Sequence, residues 1–344
     1  MLPLKRIFVY EFVSGGGCYS TLGQIMPEGS LLAEGEAMLA AAAADLLRLP
    51  QTGVHFLRDA RLPELHLPGC VVHRIGTAEE ERSEFFALAG SAAGSVVIAP
   101  EIGGALLERV EWAVQAGANL WGPGARLVSL ASDKQRLADH LAAAGLPVPA
   151  GRPMAPGESL PMNFAYPAVL KPRDGAGSQN VQRIDAWSMD GPRLAVPGRL
   201  EVFCPGLPAS IGVLCGPAGS IPLPPCAQIL SDDGRFAYLG GYLPLPPTLA
   251  KRAEQWGLRV ISALPAPRGY IGIDLVLGAD PHGNDDVIIE INPRLTTSYL
   301  GLRAACEGNL MGHWLDVLSE RPVVLCLREG AVQFDAISGA RKRS

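Results

Sequence analysis

The chain has 344 residues, 48% of them hydrophobic, and a formal net charge of -5 at neutral pH. That length exceeds the usual single domain and supplies apolar material for two or three packed lobes. The acidic balance, with an isoelectric point near 5.7, leaves no basic excess for phosphate backbones or anionic membranes, so neither nucleic acid nor membrane is an expected partner.

Along the first third, strand-like apolar runs over 7–13, 71–75 and 96–99 alternate with helical patterns over 31–49, 79–89 and 104–116. Such alternation predicts a parallel sheet covered by helices, an α/β arrangement whose ligands sit beyond the carboxyl ends of the strands. Those ends carry Ser14-Gly15-Gly16-Gly17 and Pro100-Glu101. The alanine-rich stretch 37–44 is flanked by Glu34, Glu36 and Asp45, which marks a packed helix rather than a membrane span. The apolar run that follows Lys5 and Arg6 is broken by Glu11 and is too short for a signal peptide. Seven scattered cysteines without a CxxC pair fit a reducing cytoplasm.

A second unit opens near Trp121-Gly122-Pro123-Gly124. Ser132 with Gln135 predicts a capping box for its first helix, and Gly145 with Pro147 a stop. A strand over 167–171 then runs into Asp174-Gly175-Ala176-Gly177-Ser178. Further expected elements are strands over 199–203 and 211–215, a helix with apolar positions Leu249, Ala253, Trp256 and Val260, and a helix over 310–318. The last residues, 338–344, are small and basic and are expected to fray.

The sharpest chemical signal is the pair of apolar segments 270–277 and 287–292, joined by a polar, glycine-containing turn. Side chains alternate along a strand, so Asp274 opposes Ile271, Ile273, Leu275 and Leu277, while Glu290 and Asn292 share a face opposite Val287, Ile289 and Ile291. Paired as a hairpin, the strands converge three oxygen-bearing side chains on one apolar surface. Two buried carboxylates without a counter-charge are costly, so the arrangement calls for a hard cation such as Mg2+, completed by water and phosphate. Arg294, just beyond, is placed to meet an anion. An edge hairpin with solvated acids would carry the same letters.

Lys171 followed by a glycine-rich turn suits a phosphate cover, because missing side chains let backbone N–H groups approach an anion. No GxxxxGK[ST] P-loop occurs, Ser20 replaces the third glycine of a dinucleotide fingerprint at 15–20, and HExxH and GxSxG are absent.

Taken in order, Ser132-Asp133-Lys134, Val169-Leu170-Lys171-Pro172, Asp174-Gly175-Ala176-Gly177-Ser178, Glu201-Val202-Phe203-Cys204-Pro205-Gly206, Gly272-Ile273-Asp274 and Glu290-Ile291-Asn292-Pro293-Arg294 resemble the ATP-grasp superfamily. The resemblance implies the α/β ATP-grasp fold: a pre-ATP-grasp domain over 1–122, a small lobe over 123–198, a C-terminal lobe over 199–330 that clamps the nucleotide with it, and a tail over 331–344. It implies an enzyme that uses ATP and Mg2+, with Mn2+ as the alternative ion, to activate a carboxylate as an acyl phosphate and join it to an amine. Lys134 and Lys171 would hold nucleotide phosphates under the loop Asp174, Gly175, Ala176, Gly177 and Ser178. Glu201 would accept from the adenine amino group, Val202, Phe203 and Cys204 would line the base, and Asp274, Glu290 and Asn292 would bind the metal. Arg294, with Lys171, would steady the anionic transition state. The acid that the family often carries two residues after the hinge glycine is Pro208 here, which leaves the ribose contact unassigned. Only about twenty residues separate the glycine loop from Glu201, so a short small lobe is expected.

Within the superfamily, the beginning Phe8 to Gly17, the Ala99-Pro100-Glu101 step and the ending Asn292 to Ser298 look like tyramine-glutamate ligases of methanofuran biosynthesis and their methylofuran relatives. That narrower likeness implies a small-molecule carboxylate and an amine as partners, glutamate among them, near Glu11, Ser14, Gly15, Gly16, Glu101, Thr296 and Thr297. A homodimer is the assembly it allows for. An ATP-grasp ligase for another amino acid or dipeptide, or a non-catalytic nucleotide-binding protein on the same scaffold, are the competing readings.

Overall fold

The computed structural model describes residues 5–175 and 177–335, together with the strand backbone of 339–342. The first unit contains β1 (Lys5–Glu11), α1 (Tyr19–Leu22), α2 (Ser30–Leu47), β2 (Thr52–Asp59), β3 (Cys70–Ile75), α3 (Ala78–Ser91), β4 (Gly94–Ile98) and α4 (Ala105–Gln115). Its strands lie parallel in the order β3-β2-β1-β4. Every residue of β4 and the last five of β1 are buried, the continuous apolar burial of a sheet covered on both faces. Thr77 caps α3 by accepting the Glu80 amide, and Glu79, Glu80 and Glu81 fill the first turn, where the helix dipole favours negative charge.

The sequence reading did not include β2. Its Arg58 and Asp59 are charged yet buried, because Arg58 pairs with Glu36 at 2.5 Å and Asp59 with Arg61 at 2.5 Å. Letters that signal a surface loop here belong to a paired interior strand.

Helices α5 (Ala125–Ala131) and α6 (Lys134–Ala143) follow. The expected capping box does not form. Asp133 caps α6, accepting from the Gln135 and Arg136 amides at 3.0 Å each, while Ser132 Oγ turns back to donate to Val128 O. Leu127, Leu137 and Leu141 bury with the core beneath the largest sheet.

A four-stranded antiparallel sheet comprises β5 (Gly151–Met154), β6 (Ala168–Pro172), β7 (Gln182–Ile184) and β8 (Gly198–Val202), in the order β5-β8-β6-β7. Because β8 lies between β5 and β6, the small lobe cannot end at 198 as expected. The chain leaves it only after Val202, at the turn through Gly206, whose φ of 152° and close approach to the Leu277 carbonyl suit glycine alone.

The remaining elements are β9 (Leu207–Gly216), β10 (Gly219–Pro222), β11 (Cys226–Leu230), β12 (Tyr238–Leu243), α7 (Pro247–Ala263), β13 (Gly269–Leu277), β14 (Val287–Asn292), α8 (Tyr299–Ala305), α9 (Leu310–Leu318), β15 (Val332–Asp335) and β16 (Gly339–Lys342). They build an eight-stranded sheet ordered β14-β13-β9-β11-β12-β15-β16, with β10 on β9. The expected frayed tail is therefore partly strand: β15 pairs with β12 and β16 with β15, and Phe334 is buried at 2% exposure. Residues 338, 343 and 344 of that stretch lie outside the described residues. No helix is long and apolar enough to cross a membrane among the described residues, and all seven cysteines are free.

Candidate active site

Strands β13 and β14 pair antiparallel and set Gly272 opposite Asn292 and Asp274 opposite Glu290. As expected from alternation, Ile271, Ile273, Leu275 and Leu277 enter the core below α7 while Asp274 faces the other way. The expected phase of β14 is corrected by a bulge after Asp274, where the register jumps from Glu290 to Ile288. The extra residue turns Ile288 and Ile291 into the core, whereas Ile289 and Glu290 line the same cavity as Asp274.

That cavity, about 460 Å3, runs between the three sheets. Asn292 donates to one Asp274 oxygen and Gln228, from β11, to the other, both at 2.9 Å. Burial, reinforced by the Glu290 charge, pushes the Asp274 carboxyl up to about 7. A carboxylate in that state gains from any nearby cation. Among the described residues no cluster of three or more His, Cys, Asp or Glu could hold a metal alone. Two carboxylates and an amide oxygen nevertheless fit a hard divalent ion that takes its other ligands from nucleotide phosphates and water.

Lysines converge on the same space from two other elements. Lys134, first residue of α6, reaches the Gly175 carbonyl at 2.9 Å and Glu290 at 3.5 Å. Lys171, at the end of β6, pairs with Glu201 at 2.5 Å, and Arg199 holds the other Glu201 oxygen at 3.0 Å. The glycine loop closes over the cavity. Gly177 has φ 64° and packs against Leu31 of α2, Ser178 Oγ donates to the Phe236 carbonyl at 2.7 Å, and Asp174 accepts the Gly103 amide at 3.1 Å. Gly175, Gly177 and Ser178 line the cavity, Asp174 instead ties the loop to the turn after β4, and Ala176 lies outside the described residues. Val202, Phe203 and Cys204 form the wall of the hinge, where the Phe203 ring stacks on Phe236 at 6.1 Å and lies under Arg183.

Arg294 reaches the cavity from beyond β14, and Glu101 grips its guanidinium with two hydrogen bonds, of 3.0 and 2.9 Å. Burial opposes the charge, but Glu101, Glu290 and Asp274 hold the guanidinium proton more tightly than usual. Glu101 is thus an ion-pair partner of Arg294, 2% exposed. Thr296 and Thr297 line the cavity, with Thr296 bonded to the Tyr270 hydroxyl at 2.8 Å. The turn Ser14, Gly15 and Gly16 is buried against Glu11, Tyr10 and Ile75, so it supports the wall rather than lining it. Glu11 does line the cavity, and it accepts from the Val13 amide at 3.1 Å, the Ser14 amide at 2.7 Å and Ser14 Oγ at 2.6 Å. Burial still pushes its carboxyl to about 7.

Glu34, Gln228 and Phe236 are among the lining residues that escaped the sequence reading. Gln228 and Phe236 lie on or beside the unexpected strands β11 and β12. Glu34 carried a signal, since Leu31, Glu34, Gly35 and Met38 recur at helical spacing on one face of α2.

A parallel helix-covered sheet, a small antiparallel lobe and a large antiparallel lobe around a lysine- and carboxylate-lined cleft define the ATP-grasp fold. Residues 131–298 match the family model described as an ATP-grasp domain. The chain is 27% identical over 246 residues to a D-alanine–D-alanine ligase of Frankia casuarinae, covering 63% of this chain and 61% of that protein's length. Among solved structures, an ATP-grasp superfamily protein from Archaeoglobus fulgidus superposes with a TM-score of 0.71 at 20% identity, over 95% of this chain and 92% of the other. An L-amino acid ligase from Bacillus licheniformis superposes at 0.68 and 16%, over 97% and 80%. The structural likenesses establish the fold.

Proposed function

We propose that this chain is an ATP-dependent carboxylate–amine ligase that works through an acyl phosphate and releases ADP and phosphate. Its substrates are glutamate and an amine of the tyramine or tyrosine kind, as in methanofuran or methylofuran assembly. The observation that carries the ligase reading is the meeting of Asp274, Glu290 and Asn292 with Lys134, Lys171 and Arg294 in one cavity. The narrower substrate assignment rests on the motifs at 8–17, 99–101 and 292–298.

Bound Mg2+ would neutralise phosphate charge between Asp274, Glu290 and Asn292. The two lysines hold the phosphates, and the loop through Gly177, seated on Leu31, excludes water that would hydrolyse the acyl phosphate. Arg294, aimed by Glu101, stabilises the charge that builds on the transferred group. Attack by the substrate carboxylate on the γ-phosphorus breaks the bond to ADP; amine attack on the acyl carbon then expels phosphate.

The test is to incubate the protein with ATP, Mg2+, glutamate and tyramine or tyrosine, following ADP and product mass. ADP release that depends on both substrates, with a glutamyl-amide product, is expected. A product from a different amino acid or dipeptide would keep the ligase and replace its substrates. ATP binding without amine-dependent ADP release, across a panel of amino acids and aryl amines, would make the chain a nucleotide-binding protein without ligase chemistry.

A further inference from the structure

Helix α2 turns one face to the cavity: Leu31, Glu34, Gly35 and Met38 all line it. Three of these are nonpolar, and the fourth is a carboxylate. Gly35 is small because Glu11 lies against the helix there.

The carboxylates around this cleft differ in what they touch. Glu201 is gripped by Lys171 and Arg199, Glu290 faces Lys134, and Glu101 is paired with Arg294. Glu11 is occupied by the Ser14 hydroxyl and two backbone amides. Glu34 accepts a long hydrogen bond of 3.3 Å from Thr297, and among the described residues no lysine, arginine or histidine nitrogen pairs with it. Burial raises its carboxyl, with Thr297 and Arg294 acting in the opposite sense. A partly buried carboxylate with free lone pairs beside apolar walls is matched by a cationic donor carried on an apolar body.

We propose that Glu34 anchors the acceptor amine as it arrives in its ammonium form, the nitrogen giving up one proton to solvent before its lone pair attacks the acyl carbon, and so selects a primary amine on an apolar body, with Leu31 and Met38 against that body. This rests on the ligase reading and deepens it. The nitrogen would enter from the α2 side of the cleft, where Thr297 and Arg294 also stand.

Two measurements separate the proposals. Wild-type protein given ATP, Mg2+ and glutamate is first assayed with hydroxylamine, a nucleophile that is neutral at pH 8 and traps an acyl phosphate as a hydroxamate. Without hydroxamate or any amide product, the ligase reading fails, and the Glu34 assignment falls with it. With hydroxamate formed, Glu34→Gln, which keeps the shape and can still accept from Thr297, is compared with wild type. The KM for tyramine is expected to rise at least about tenfold, and the preference for tyramine over hydroxylamine to fall by a similar factor, the loss of one charge-assisted contact. Glu34→Asp should recover part of the preference. An unchanged tyramine KM in Glu34→Gln, or an equal rise in the KM for ATP, overturns the assignment of Glu34 to the amine.

Discussion

Arg294 concentrates the chemistry at the scale of single residues. Its guanidinium is partly buried, held flat by a two-point bond to Glu101, and turned toward a cavity that also contains Asp274 and Glu290. Removing a preorganised donor of this type costs about 10²-fold or more in kcat. Arg294→Ala is therefore expected to lower kcat by at least that factor in the coupled ADP assay, more than Glu101→Gln, which keeps the cation and loses only its holder. Normal turnover in Arg294→Ala would remove it from the mechanism. The residues legible in the sequence were those whose chemistry is unusual for their setting. An aspartate inside an apolar strand and a lysine at a strand end stood out, and the structure brings both to the cavity. Glu34 and Gln228 did not stand out, because a helix acid and a polar strand residue are common until their surroundings are known.

At the scale of elements, the start of α6 joins local helix chemistry to the site. Asp133 satisfies two amides of the first turn and also pairs with Arg173, just after β6, while the Lys134 amide donates to the Arg173 carbonyl at 2.9 Å. Burial opposes ionisation of Asp133, but Arg173 and the amides hold its carboxyl below the usual value. Asp133→Ala should cost about 1–2 kcal/mol, the loss of a helix cap, read as a lower urea midpoint at unchanged slope. A loss within a few tenths would show that the cap is replaceable by water. The helix itself was legible from its stop at Gly145 and Pro147, but the cap was displaced by one residue, since Ser132 and Asp133 are both competent and only the bond to Arg173 chooses between them. The hairpin of β13 and β14 was legible from alternation. Its bulge was not, because Ile288 and Ile289 are chemically identical and only pairing decides which one enters the core.

For the whole molecule, the parts are clasped across long sequence separations. Asp45 of α2 accepts from Tyr299 at 2.7 Å and from Arg303 of α8 at 2.8 and 2.6 Å. On the other side of α8, Phe334 of β15 packs against Gly301 and Gly241. Phe334→Ala should destabilise the protein by about 3–5 kcal/mol, the usual cost of emptying a buried aromatic site, measured by chemical denaturation. A cost under about 1 kcal/mol would mean that β15 is not integral to the fold.

By itself the sequence determined many of the elements, the helix-covered parallel sheet at the start, and the side chains proposed to hold a nucleotide and a metal. Periodicity and local chemistry are properties of neighbouring residues, and the elements and the grouping of Asp274, Glu290 and Asn292 follow from them, whereas the roles of Lys134 and of Glu201 to Cys204 came from the resemblance alone. Tertiary structure decided the rest: that β8 belongs to the small sheet, that 332–335 and 339–342 complete the large one, that Glu101 holds Arg294, and that Glu34 faces the cleft. Each of these joins segments far apart in the chain, where the partner that satisfies a charge or a strand edge is chosen by packing and not by proximity along the backbone.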